Sequence, residues 1–159
     1  MSSFDGHIEQ AKLNLRFLEN INRQFPEVYD WQVTVSFYSA LHLINGHVFK
    51  SMGTYHRTHR DLANVISPEA NISTPAQLPE DVFVGYEALF ILSRRARYLY
   101  NAKSDGELSF TYHKHLAKAV RHLNTIMKWI DQKYKLNLEA LEFSCEGLKR
   151  DELEYFKII

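Results

Sequence analysis

The chain has 159 residues, 45% of them apolar and 13% aromatic, and its formal net charge is zero. That length and apolar content suit one domain with a sizeable core, and six glycines and four prolines are too few for a disordered chain or a β-sandwich. A neutral whole gives no long-range steering toward nucleic acid, but residues 93–135 hold ten Lys and Arg against three Asp and Glu, and residues 136–159 hold three against six. A solvated helix face accounts for most such runs.

In chain order, the opening MSSFDGHIEQ has no basic stretch followed by an apolar one, so no secretory leader is expected. Residues 5–23 then read as a helix, with Asp5 as its N-cap and Ile8, Ala11, Leu15, Leu18 and Ile21 on one stripe. Pro26 closes the connection. Residues 27–50 form a second helix with two apolar faces, one from Trp31, Val35, Tyr38 and Phe49, the other from Val33, Phe37, Leu41, Ile44 and Val48. A helix apolar on most sides is central, touched by several neighbours. Ser36, Ser39, Ala40 and Gly46 would let a partner helix come close.

Gly53 punctuates the loop that follows. Thr58 is placed to cap a short third helix over residues 59–66, with Asp61 echoing a capping box. Residues 67–81, with three prolines, read as a surface loop. Pro79, Glu80 and Asp81 open a fourth helix reaching about residue 100. Its DVFVGYEALFIL run is interrupted by Glu87 and is too short to span a bilayer. NAKSDGELS reads as a turn. Residues 111–135 form a fifth helix with a stripe of Leu116, Ala119, Val120, Leu123, Ile126, Met127 and Ile130, and His115, Lys118, Arg121 and His122 on its other sides. The tail, residues 136–159, is expected to hold another short helix or strand, and its β-prone YFKII to dock on the bundle or on another subunit. Its Cys145 is the only cysteine, which excludes an intrachain disulfide and suits a reducing, cytoplasmic setting, as a structural thiol rather than a nucleophile. Mostly short loops between such helices imply an all-α antiparallel up-and-down bundle of four to five helices, one domain over residues 1–159 with its core in 5–135.

DWQVTVSFYSALHLINGHVF, then THRDL, then YEALFILSRRARYLY together resemble the HEPN family (higher eukaryotes and prokaryotes nucleotide-binding domains). The elements that carry the resemblance are Trp31, Phe37, Tyr38, Ala40, Leu41, His42, Thr58, His59, Tyr86, Leu89, Ser93, Ala96, Arg97 and Tyr98, spread over residues 30–100. The resemblance implies a four- or five-helix bundle, a homodimer, and a link to RNA or nucleotides. Many such proteins are metal-independent ribonucleases marked by an Arg followed, after four to six residues, by a His. No arginine of this chain has a histidine at that distance. Arg60, moreover, follows His59 directly, out of the family register. Catalytic residues therefore do not carry over.

TYHRTHRDL gathers His56, Arg57, His59 and Arg60 where the third helix starts. The free N–H groups and dipole of a helix start favour an anion such as phosphate. His59 can bond it or act in acid–base chemistry, and Arg57 or Arg60 can grip it bidentately. Alternatively His59 packs between helices and bonds Tyr86 or a carbonyl. Zinc needs three or four ligands; His42, His56 and His59 are not joined by Cys or carboxylate in a recognised spacing, so neither metal nor cofactor is expected. Arg94 and Arg95 offset a helix dipole. Arg97 shares a stripe with Tyr86, Ser93 and Tyr100, a setting for phosphate with a stacked base, or else for an ion pair with Asp30 or Asp61. Trp31, Phe37, Tyr38 and Phe49 fall at helical spacing and read as core.

The preferred reading is a HEPN-like RNA- or nucleotide-binding module without the ribonuclease pair, a homodimer. His59 and Arg60 form one wall of its site, and Tyr86, Ser93, Arg97 and Tyr98 the other. One rival is a ribonuclease-type toxin that uses His59 with Arg97. The other is a non-catalytic interaction module, such as the partner of a nucleotidyltransferase.

Overall fold

Helical periodicity resolves, in a computed structural model that describes residues 3–99 and 110–159, into five helices and two short strands. They are α1 (Phe4–Gln24), α2 (Tyr29–Met52), α3 (His59–Ile66), α4 (Glu80–Tyr98), α5 (His113–Tyr134), β1 (Leu141–Phe143) and β2 (Phe156–Ile158). The fold is an all-α bundle, and among the described residues no helix is long and apolar enough to cross a membrane. The expected Tyr100 end of the fourth helix and the NAKSDGELS turn lie outside the described residues.

The double-faced α2 is central: α1, α4 and α5 all pack on it. Val33, Phe37, Ala40, Leu43, Ile44 and Val48 are buried along it. Gly46 lets α1 come close, since a Cβ built there would meet Ile8 Cδ1 at 3.1 Å. Ser36 and Ser39, also buried, return their hydroxyls to the α2 carbonyls of Gln32 and Val35, both at 2.8 Å. Trp31 and Tyr38 correct the sequence reading. Trp31 is 60% exposed and Tyr38 also lies outside the core, because α1, α4 and α5 leave one edge of α2 uncovered.

The caps follow local chemistry. Ser3, rather than Asp5, caps α1 by accepting from Gly6 N at 2.9 Å. Gly53 ends α2 in the left-handed region at φ 71°, where a side chain is disfavoured. Thr58 Oγ1 accepts from Asp61 N at 3.1 Å and starts α3 as expected. Pro79 stands just before α4. Tyr112 precedes α5, and its N–H donates to His115 Nδ1 at 2.9 Å, so His115 turns inward instead of decorating the surface. The proline-rich loop is pinned by His47, a buried α2 residue that bonds the Ala76 carbonyl at 3.0 Å and Tyr134 Oη at 2.7 Å.

The tail belongs to the core instead of extending beyond it. Its strands pair in parallel, Leu141 opposite Phe156 and Phe143 opposite Ile158, and bury Leu141, Phe143 and Phe156. Asn22 fastens it: Nδ2 donates to Ser144 O and to Gln32 Oε1, each at 2.8 Å, while Oδ1 accepts from Ser144 N at 2.8 Å. Burial, aided by Glu146 and opposed by Arg121, pushes the Cys145 thiol up to about 11, the state of an inert structural thiol.

Asn22→Ala removes three bonds from a buried site and is expected to cost roughly 3 kcal/mol, read as a lower urea midpoint. Burial is also the first cause that lowers the imidazole pKa of His7, His42, His47, His115 and His122 below 6.5, with His115 at about 4. Each binds protons less readily folded than unfolded, so stability is fully present above 6.5 and is lost as pH falls from there toward 4. Urea midpoints measured at pH 7.5, 6 and 5 should decline in that order.

Candidate functional site

The site residues hang on one stripe of α4: Tyr86, Phe90, Ser93 and Arg97 recur at steps of four, three and four residues. Tyr86 and Ser93 are fully buried. Phe37 of α2 leans on the stripe, 6.0 Å from the Tyr86 ring and 5.8 Å from the Phe90 ring.

His59 docks at one end. Its ring lies flat on Phe90, with centroids 3.4 Å apart and planes 2° apart. Nδ1 is 3.2 Å from Tyr86 Oη. Nε2 is 3.3 Å from Glu87 Oε1, a charge-attraction distance when the imidazole is protonated, although that oxygen makes no well-angled hydrogen bond. Burial, reinforced by Glu87, raises the Tyr86 phenol above its usual range, so it stays a neutral hydroxyl able to donate or accept. This is the packed alternative for His59: Nδ1 pairs with Tyr86, Nε2 faces Glu87, and one ring face is covered.

Arg97 stands at the other end. Nε and Nη2 donate to Ser93 O at 3.3 Å and Ser93 Oγ at 3.2 Å, and Nη1 donates to Tyr38 Oη at 3.3 Å. The guanidinium carbon is 5.8 Å from the Phe37 and Tyr38 centroids and 5.2 Å from that of Tyr98. Neither Asp30 nor Asp61 pairs with it, and among the described residues no carboxylate lies within ion-pair distance. Three aromatic rings and two hydroxyls thus orient a half-exposed cation with no carboxylate partner among the described residues.

The sequence-predicted residues separate into two groups. Phe90 and Arg97 are seven residues apart, about 10 Å along a helix, and Phe37 fills the space between them. His59 and Arg97 share a face of α4 but no contact. Tyr86 and Ser93, expected to touch a ligand, are sealed: they set the poses of His59 and Arg97. Arg60 is exposed on α3, and Tyr98 is 65% exposed beside Arg97. Tyr38, which α2 supplies to Arg97, was read as core; its i+4 spacing from Thr34 and His42 gave no sign that this edge is open. Beside it runs a groove lined by Gln10, Asn14, Phe17, Trp31, Tyr38 and His42. Among the described residues no group of three His, Cys, Asp or Glu is arranged to hold a metal ion.

No family model matches this chain, and neither the curated proteins nor the solved structures hold a match.

Tyr86→Phe deletes the buried partner of His59 Nδ1. An expected loss of about 1 kcal/mol in urea denaturation checks the structural role of that bond.

Proposed function

We propose that the chain is an RNA- or nucleotide-binding helical module of the HEPN kind, acting in the cytoplasm through Arg97 and without the Arg–His ribonuclease pair. One observation carries the reading: Arg97 is held by Ser93 and Tyr38 beside the exposed Tyr98 ring, with no carboxylate partner among the described residues. A fixed guanidinium beside an exposed ring suits a phosphate and its neighbouring base, because the cation binds the anion while the ring stacks. The bond of His59 Nδ1 to Tyr86 and the cover of Phe90 over its ring support binding over cleavage, and the separation of His59 from Arg97 weighs against the toxin alternative.

A homodimer is part of the proposal. Leu13, Phe17, Trp31 and Tyr38 leave apolar surface exposed on α1 and α2, next to Arg97, and a second copy of the chain covers such a face at little polar cost. A nucleotidyltransferase in that place would make this an interaction module, distinguished by a chain that is monomeric when pure.

The test is fluorescence anisotropy with a short single-stranded RNA at two salt concentrations. Arg97→Ala is expected to weaken binding about tenfold, and Arg97→Lys to recover only part of it, since an ammonium cannot reproduce the planar fork. Equal binding by wild type and Arg97→Ala, or no binding by either, overturns the proposal.

A further inference from the structure

The basic run of residues 93–135 is only partly used by Arg97, and the structure divides the rest in two. Along the middle of α5 the tail supplies counter-charges: Arg121 pairs with Glu152 at 2.7 Å and Lys128 with Glu154 at 3.7 Å. At its N-terminal end the tail's Glu146 lies 3.8 Å from His113 Nδ1. Arg95, Lys114 and Lys118 have no carboxylate within ion-pair distance among the described residues.

Arg95 and the two lysines flank one stretch of chain: Arg95 bonds the residue three positions before α5, and Lys114 and Lys118 stand on its first two turns. His115 itself adds no charge: Nδ1 accepts from Tyr112 N, so the ring is a neutral strut. Arg95 Nε donates to Phe110 O at 3.1 Å, which fixes the guanidinium against the chain entering α5. No described residue bonds its two terminal nitrogens. Lys114 and Lys118 are exposed, one helical turn apart on α5. Beside them the rings of Phe110 and Tyr112 are 53% and 52% exposed.

We propose that Arg95, Lys114 and Lys118 hold the phosphate backbone of a single-stranded nucleic acid whose bases stack on Phe110 and Tyr112. This deepens the RNA-binding reading and rests on it, though not on Arg97. Neighbouring like charges repel one another in the free protein, and a polyanion relieves that repulsion while releasing its own counterions. Exposed rings beside the cations select a strand with accessible base faces, which a duplex hides. A lipid surface fits less well, because two separate rings lack the continuous apolar face of a membrane-lying helix.

The experiment measures anisotropy of a labelled single-stranded RNA with the full chain over a series of salt concentrations. The variants are Lys114→Ala/Lys118→Ala, Phe110→Ala and Arg97→Ala, each checked for native circular dichroism. The double lysine variant is expected to bind about tenfold more weakly and to lower the salt slope by about 1.4, the value for two lost phosphate contacts on a single strand. Phe110→Ala should weaken binding with the slope unchanged. Loss with Arg97→Ala but none with the lysine pair overturns this inference and leaves the Arg97 site standing. Loss with the lysine pair but none with Arg97→Ala supports it and removes the Arg97 site. Equal affinity for the annealed duplex, or binding of phosphatidylserine vesicles without binding of RNA, also overturns it.

Discussion

Burying a helix on nearly every side constrains everything around it. The α2 backbone satisfies its own hydrogen bonds, but its buried polar side chains need partners from elsewhere. Gln32 finds Asn22 of α1 and the carbonyls of Phe25, Pro26 and Val28. Asn45 accepts from the His56 N–H, and His47 reaches Ala76 and Tyr134. Each bond fixes a connection that would otherwise be free to wander, so one helix sets the positions of α1, the loop into α3, the proline-rich segment and the end of α5. The proposed ligand face depends on the same constraint, because Tyr38 can orient Arg97 only while α2 and α4 keep their spacing across Phe37.

Charge is organised by the same architecture. The acidic tail folds against α5 and neutralises part of a basic helix, which turns a uniform excess of cations into a directional one. Among the described residues, Arg95, Lys114 and Lys118 stay without a carboxylate partner near the end of α4 and the start of α5, as Lys133 and Lys135 do at the end of α5. A molecule of zero net charge can then present a local cationic surface without the non-specific attraction that a basic protein has for every polyanion.

Much of this was legible in the residues, for reasons that can be named. The α3 start could be read because Thr58 caps through a neighbour three positions on, an interaction contained in the local sequence. The α5 stripe was legible because Leu116, Ala119, Val120, Leu123, Ile126, Met127 and Ile130 are all buried at helical spacing, whereas Ala117, covered from the tail side, escaped it. On α2 the same periodicity failed: a helix apolar almost all round does not reveal which edge lacks a neighbour, so Trp31 and Tyr38 were assigned to the core. The bond of Arg97 to Ser93, one helical turn away, lies within reach of pattern reasoning. Its bond to Tyr38, 59 positions distant, does not. Ser93 and Tyr86 look like ligand groups in sequence because a hydroxyl on a helix carries no mark of being sealed. His115 was misread because a histidine closing a capping box from inside is a tertiary outcome of the chain's entry into α5.

The Asn22 clasp joins residues 122 positions apart, across almost the whole chain. Closing so long a loop is entropically dear, so these bonds form only after the helices have already brought their ends together. The β1–β2 ladder, held to α1 through this clasp, is thus expected to separate from the helices before they unfold. Its backbone amides would exchange with solvent through partial opening while those of α2 wait for global unfolding, which gives the protein two tiers of stability within a single fold.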